Sequence, residues 1–275
     1  MVKLAAVDNR HQGPWARLPP NDRVTQNDRV RRVSTLPPSP PPAAWQPPTV
    51  SPAAQVRAAY ARRQTTDYYF TGPGLNVFLT IITCGIFGFF LFYQLMRRDR
   101  DHNQRRLDLL DGANAFAWER ATERGLADEL RPAFERVAAS LEVLRGLTRE
   151  FRDPTIWLVI DIVAGGARVV GAGIAQIVGF ILIDRDLDTH DRAEGAIEAD
   201  LSAIYARLGV TLPNPDPGRV KGRQNYVARV IVSIVTCGIY VFWWIYDMQV
   251  EGNRHLETNW PFDDAAVGAV DALGG

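Results

Sequence analysis

The chain has 275 residues, 47% of them apolar, and it carries 31 basic and 31 acidic side chains. This size allows one or two domains. The two cysteines, Cys84 and Cys237, lie inside apolar segments, which excludes a disulfide framework and a zinc ribbon. The charged residues are segregated from long apolar stretches, and this segregation is typical of a membrane protein.

Residues 1–66 form a tail rich in proline and arginine, with eleven prolines and few aliphatic side chains. Such a segment buries too little apolar surface to offset the entropy of ordering, so it is predicted to be disordered. Its arginines are dispersed and interrupted by acidic residues, and no nucleic-acid partner is expected. A plain tether is the preferred interpretation, and a protein partner that reads the proline-rich segment is the alternative.

Three segments, at residues 75–96, 156–183 and 227–248, carry few or no charged side chains. A helix needs about 20 mostly apolar residues to cross roughly 30 Å of hydrocarbon. The segments therefore predict an all-α, multi-pass integral protein of the cell membrane with about three transmembrane helices. Its main partner is then the lipid bilayer, and the membrane domain extends over residues 67–264.

The first and third segments are copies of each other at an offset of 153 residues. They share the pattern T-C-G-I-[FY]-x-F, and the match continues to His102 and His255. Small residues let helices approach closely, so this repeat motif is predicted to be a helix-packing contact. Its residues are Thr83, Cys84, Gly85, Thr236, Cys237 and Gly238. A redox pair of the two cysteines is the less favoured alternative.

The middle segment places Asp161, Arg168 and Gln176 on one face of a helix. Polar groups inside a membrane avoid lipid, so this intramembrane polar face is predicted to contact another span or a second copy of the chain. It also allows an ion or proton path. A re-entrant segment around residues 164–167 is the alternative to a third span, and three spans are preferred.

The two connections, at about residues 97–153 and 184–209, have apolar residues at heptad spacing and are predicted to be helical. Gly125 is predicted to divide the first connection into two helices. The heptads fit either packing within the chain, which is preferred, or a coiled coil in a homo-oligomer. Residues 265–275 are predicted to be a flexible C-terminal tail.

The matched histidines, His102 and His255, allow a shared metal or pH-sensing site. Neither has an evident carboxylate or cysteine partner at ligand spacing, so two separate interface histidines are the preferred interpretation. No nucleophile elbow, metalloprotease helix or phosphate-binding glycine loop is present in the sequence. We therefore assign no catalytic residue, metal ligand or cofactor, and we do not expect an enzyme.

The repeated T-C-G-I-[FY] motif and the segment LIDRDLDTHDRAE resemble a family of prokaryotic integral membrane proteins that contain domain of unknown function 4234. The resemblance covers residues from about 67 to 264. Some relatives carry an N-terminal zinc ribbon, and the tail of this chain lacks the cysteines for one. The family implies a membrane location and no activity.

These patterns favour a non-enzymatic membrane scaffold or interaction protein. A small transporter or channel component, with a polar path along the middle helix, is the first alternative. An envelope sensor that acts through its helical connections is the second.

Overall fold

The computed structural model describes residues 50–149, 153–166, 170–216 and 224–274. This part of the chain contains nine helices and confirms the all-α class. In chain order they are α1 (Pro52–Ala61), α2 (Arg63–Thr66), α3 (Pro73–Ile82), α4 (Ile86–Glu123), α5 (Ala127–Arg149), α6 (Pro154–Gly166), α7 (Val170–Arg207), α8 (Tyr226–Val235) and α9 (Ile239–Ala272).

The prediction of three continuous transmembrane helices is wrong. Each predicted span is divided into a short helix and the start of a long one, which form the pairs α3 and α4, α6 and α7, and α8 and α9. In the first and third pairs the break falls where Cys84 and Cys237 adopt a positive φ of 49°, outside the right-handed helical region. Within the described ranges, no helix has both the length and the apolar character required to cross a bilayer.

Both predicted tail boundaries need correction. Residues 52–66, assigned to the disordered tail, form α1 and α2, and the side chains of Val56 and Ala59 are fully buried. The segment 265–275 is not a flexible tail up to Ala272, because α9 continues that far and buries Ala266 and Val270. Residues 1–49 lie outside the described part of the chain.

The long helices α4, α7 and α9 run parallel. At one level Phe180 has its ring 5.8 Å from Phe92 and 5.9 Å from Trp244. The three helices are in contact again at His102, His190 and His255. These histidines follow Phe92 and Phe180 by ten residues and Trp244 by eleven. Because the chain runs in the same direction in all three helices, the three helix breaks lie at one end of the molecule.

At the other end, α5 runs antiparallel to α7. Its Arg136 pairs with Asp200 at 2.5 Å, whereas Glu129, seven residues earlier, pairs with Arg207 at 2.5 Å. Gly125, with a φ of 70°, lies between α4 and α5, as predicted. The heptad residues of α5 and α7 pack into one core within the chain: Leu130, Phe134, Val137, Leu141, Leu144, Ile197, Leu201, Ile204 and Leu208. Phe151 lies outside the described residues.

Candidate metal centre and apolar hairpins

The repeated Thr-Cys-Gly motif forms the turn of a helical hairpin. The Thr83 hydroxyl donates to the Leu79 carbonyl at 2.7 Å and accepts from the Phe87 amide at 3.0 Å, so it bonds to both helices. Gly85, at a φ of 91°, donates its amide to Thr80, and this bond closes the end of α3. The motif thus forms a turn, and its predicted helix-packing role stays a prediction.

The second copy repeats this geometry. Thr236 donates to the Val232 carbonyl at 2.8 Å and accepts from the Tyr240 amide at 3.1 Å. Gly238 has a φ of 89° and donates to Ser233. Cys237, like its counterpart in the first copy, is a free and exposed thiol. Identical hydrogen bonds in both copies show that the repeat encodes a helix–turn–helix hairpin.

All three hairpins expose large apolar side chains. Ile86 at the first turn is 72% exposed, and Val235 at the third turn is 75% exposed. The arms and turns share this exposure, through Leu75, Phe78, Ile81, Ile82 and Phe90 in the first hairpin, Ile156, Val159, Ile160, Ile162, Val163 and Val178 in the second, and Val227, Ile231, Val232, Ile234 and Ile239 in the third. A monomeric soluble protein rarely exposes a contiguous apolar surface of this size.

Polar side chains connect the hairpins to one another on the side away from their turns. The buried Arg229 of α8 pairs with Asp247 of α9 at 2.8 Å and with Asp184 of α7 at 3.1 Å. Asn76 of α3 donates to Gln249 of α9 at 2.6 Å. The contact of Arg229 with Asp184 connects the third hairpin to the second, and that of Asn76 with Gln249 connects the first to the third. Together they hold the three hairpins in one group.

The polar face predicted for the middle segment is partly described. Asp161 of α6 and Gln176 of α7 form a 2.8 Å hydrogen bond, so the two residues face each other across a hairpin instead of following one helix. The predicted single-helix face is wrong in this respect. Arg168 lies outside the described residues.

A histidine cluster lies where the three long helices meet again. His102 of α4, His190 of α7 and His255 of α9 are each at most 7% exposed, and their ring centroids are 5.0 to 5.6 Å apart. The interpretation of His102 and His255 as separate interface residues is wrong, because their Nε2 atoms lie 3.1 Å apart. Glu194, fully buried on α7, completes a group of four ligand atoms within 4.8 Å of one another.

Carboxylates on the outer side of the rings set the histidine tautomers. His102 Nδ1 lies 3.0 Å from Asp67, and His255 Nδ1 lies 2.9 Å from Asp191. Burial alone would raise the pKa of Asp67, but His102 and Arg105 beside it hold that pKa well below its usual range. An ionised carboxylate only accepts, so His102 donates from Nδ1 and keeps a bare lone pair on Nε2.

His102 and His255 are neutral. Burial lowers the pKa of His102 to about 3 and also lowers the pKa of His255. Glu194 is ionised: burial would raise its pKa, but Arg106 at 2.5 Å holds that pKa well below the usual value. The imidazoles of His102 and His255 are therefore neutral and the carboxylate of Glu194 is negatively charged, which is the protonation state that a metal ion requires of its ligands.

Two residues of the cluster were missed in the sequence. His190 and Glu194 are four residues apart on α7, so they lie on one face of that helix. Neither ring nitrogen of His190 hydrogen-bonds within the described part of the chain, although its Nε2 lies 3.1 Å from Glu194. The H-x3-E spacing is a recognisable pattern of metal ligands. It indicates a metal site specifically only when it is combined with the repeated histidines, His102 and His255.

A network of buried ion pairs surrounds the cluster. Arg105 and Arg106 are fully buried, and Asp263 of α9 bonds to both. Arg105 also makes a bidentate pair with Asp67 at 2.8 and 3.0 Å, while Arg106 also binds Glu194 and Glu198. Bidentate and shared pairs of this kind fix geometry, so the carboxylates that face the histidines are held in place.

The described residues thus define an all-helical protein in which three apolar hairpins extend from a helical core with a buried histidine–carboxylate centre. Residues 224–262 match the family model of domain of unknown function DUF4234, which confirms the family resemblance. The matched segment contains the third hairpin and His255. Neither the comparison with curated proteins nor that with solved structures gave a match.

Proposed function

We propose that this protein is a non-enzymatic membrane scaffold that inserts its three apolar hairpins into one leaflet of a bilayer. The observation that carries the proposal is the exposure of large aliphatic side chains along the described arms of all three hairpins and at the tips of the first and third. Because the three long helices are parallel, these tips lie together at one end of the molecule. Burying such a surface in hydrocarbon is favourable by about 25 cal/mol per Å² of apolar area.

The length of the hairpins supports insertion into a single leaflet. The short arms α3 and α8 have 10 residues each, which corresponds to ~15 Å of helix. The hydrocarbon core of a bilayer is about 30 Å thick, so an arm of this length matches one half of it. The first and third turns form backbone hydrogen bonds of their own, and insertion into hydrocarbon requires such bonds.

Aromatic side chains mark the base of the apolar surface. Trp243 and Tyr246 are exposed on α9, within eight residues of the Gly238 turn. Tyr68 and Tyr69 are exposed just before α3 begins. Tryptophan and tyrosine favour the boundary between hydrocarbon and headgroups, where an apolar ring and a polar tip are both satisfied. The aromatic residues therefore fit a boundary at the depth at which the arms end.

The rest of the molecule would then form a helical platform on the membrane surface. Its core is α1, α5 and the distal parts of α4, α7 and α9, and its outer face carries ion pairs such as Arg136 with Asp200. We propose that this platform and the proline-rich tail contact partner proteins. A scaffold is preferred to a transport path because Asp161 and Gln176 bond to each other inside one hairpin.

Vesicle flotation tests the membrane proposal. The full chain, purified in mild detergent and diluted into neutral phosphatidylcholine vesicles, is expected to float with them. Replacing the equivalent turn residues together, Ile86→Glu and Ile239→Glu, places two charges in the hydrocarbon at ~3 kcal/mol each. The double variant is expected to shift to the soluble fraction.

Val143→Glu provides the matched control. Val143 is 45% exposed on α5, away from the hairpins, and its charged variant should float as the unchanged protein does. Flotation of the double variant at the unchanged level would overturn the proposal. So would a soluble, detergent-free oligomer of the unchanged chain, because the hairpins would then cover one another and not lipid.

A further inference from the structure

We infer that His102, His190, Glu194 and His255 bind one divalent transition-metal ion of the zinc type. The inference does not depend on membrane insertion. His102 and His255 are 17 residues beyond Gly85 and Gly238, which corresponds to ~25 Å along the helix and places the centre outside the leaflet that the hairpin tips would enter.

Opposing lone pairs are the first reason for a cation. His102 and His255 both direct Nδ1 to a carboxylate, so their Nε2 atoms both carry lone pairs and meet at 3.1 Å. Two acceptors at this distance repel each other unless a cation lies between them. The side-chain amide of Asn259 donates to Glu194 at 3.0 Å and lies 3.1 Å from His255, but it does not separate the two Nε2 atoms.

His190 is the second and independent reason. It is 1% exposed, and neither of its ring nitrogens hydrogen-bonds with another described residue. A buried polar group without a hydrogen bond is destabilising, and native proteins rarely contain one. His190 contributes a ring nitrogen to the group of four atoms within 4.8 Å, so a bound ion would give it a partner.

The spacing of the ligand atoms fits a small tetrahedral ion. Zinc–nitrogen bonds of about 2.0–2.1 Å place neighbouring ligand atoms of a tetrahedron ~3.3 Å apart. The Nε2 atoms of His102 and His255 are 3.1 Å apart, and all four ligand atoms lie within 4.8 Å of one another. His190 Nε2 is 3.1 Å from one oxygen of Glu194, and His255 Nε2 is 3.4 Å from the other. Small movements of the rings would complete the coordination.

The ligand types select the class of metal. Three imidazoles and one carboxylate suit zinc and its neighbours, whereas calcium and magnesium prefer oxygen ligands and copper(I) prefers sulfur. The carboxylates of Asp67 and Asp191 orient the rings from behind, as partners of zinc-bound histidines usually do. A small cavity of about 30 Å³ lies beside the cluster and is lined by His102 and His255 among others.

The origin of the ligands indicates what the ion does. They come from α4, α7 and α9, the three long helices that each follow one hairpin. Every ligand is buried, and a site whose four positions are all filled by protein is typical of structural zinc, whereas catalytic zinc keeps one position open. The ion would therefore join both copies of the repeat to the middle hairpin and fix their relative positions.

Metal analysis of the full chain, purified without a histidine tag, tests the inference. We expect about one equivalent of zinc, and in cobalt-grown protein the visible absorption of tetrahedral Co²⁺. A strong chelator should lower the melting temperature, and added Zn²⁺ should restore it. Absence of metal, together with a melting temperature that neither chelator nor Zn²⁺ changes, would overturn the inference.

His190→Leu separates a metal site from a merely buried histidine. With a metal, the variant loses bound zinc and no longer responds to the chelator. Without one, the substitution removes two unsatisfied nitrogens, so the variant would be as stable as the unchanged chain or more stable. His11→Ala, which alters the one histidine outside the cluster, should retain the metal. Retention of full zinc content by His190→Leu would also overturn the assignment.

Discussion

The Nε2 atoms of His102 and His255 lie 3.1 Å apart, although 153 residues separate them in the chain. The two histidines are equivalent residues of the repeat, and each occupies the same position beyond its hairpin turn. The carboxylates that orient the two rings are not equivalent in the repeat. Asp67, before α3, orients the ring of His102, and Asp191, on α7, orients the ring of His255. The repeat therefore supplies two residues of the centre, His102 and His255, and α7 supplies the other two, His190 and Glu194.

Asp67→Asn should weaken zinc binding at this centre by roughly 10- to 100-fold, because the carboxylate that holds His102 in its metal-binding tautomer is lost. A competition titration with a chelating dye would measure the change. Asp264→Asn is the control, since Asp264 is an exposed carboxylate of α9 that pairs with Arg63 outside the cluster. Equal affinities for both variants would contradict the role given to Asp67.

Arg106→Met should lower the free energy of unfolding by about 3–5 kcal/mol, the usual effect of removing one partner from a buried ion-pair network. The loss follows because Glu194, Glu198 and Asp263 all pair with this fully buried guanidinium. Denaturant unfolding followed by circular dichroism would measure it. Arg136→Met should change stability by less than about 1 kcal/mol, because the Arg136 side chain is 60% exposed and its pair with Asp200 lies at the surface.

Gly179→Ala should destabilise the fold by about 1–3 kcal/mol through overpacking. A methyl group at Gly179 would lie 2.5 Å from the ring of Phe92, which is itself buried between α4 and α7. Gly195→Ala on the same helix has free space around the new methyl group and should stabilise by about 0.5–1 kcal/mol. Thermal unfolding of the two variants should give shifts of opposite sign, and stabilisation by both substitutions would show that α4 and α7 do not pack this closely.

Thr236→Val should destabilise the third hairpin by about 1 kcal/mol, the usual value of a capping hydroxyl. The isosteric change removes the bonds to both Val232 and Tyr240 and keeps the side-chain volume. Amide exchange of residues 232–240 would measure the loss as faster exchange. Thr236→Ser keeps the hydroxyl, and exchange as fast as in the valine variant would argue against the capping role.

The helical class, the division at Gly125 and the equivalence of the two T-C-G-I-[FY] segments were predictable from local patterns. The hairpins were not predictable, because a transmembrane helix also tolerates threonine, cysteine and glycine, so Thr83, Cys84 and Gly85 did not interrupt the apolar pattern. A positive φ at Cys84 has no sequence signature of its own, since few cysteines adopt it. Only the structure, in which both copies of Thr-Cys-Gly interrupt a helix in the same way, shows that this motif forms a turn.

The amino-acid sequence determined by itself that apolar and charged residues are segregated, that one segment occurs twice, and that His102 and His255 are equivalent. These properties follow from composition and periodicity, which are local. The tertiary structure decided which groups meet: it folded each apolar segment back on itself and brought His190 and Glu194 of α7 to the paired histidines. Contacts between helices depend on packing across long separations in the chain, and spacing along the sequence does not record them.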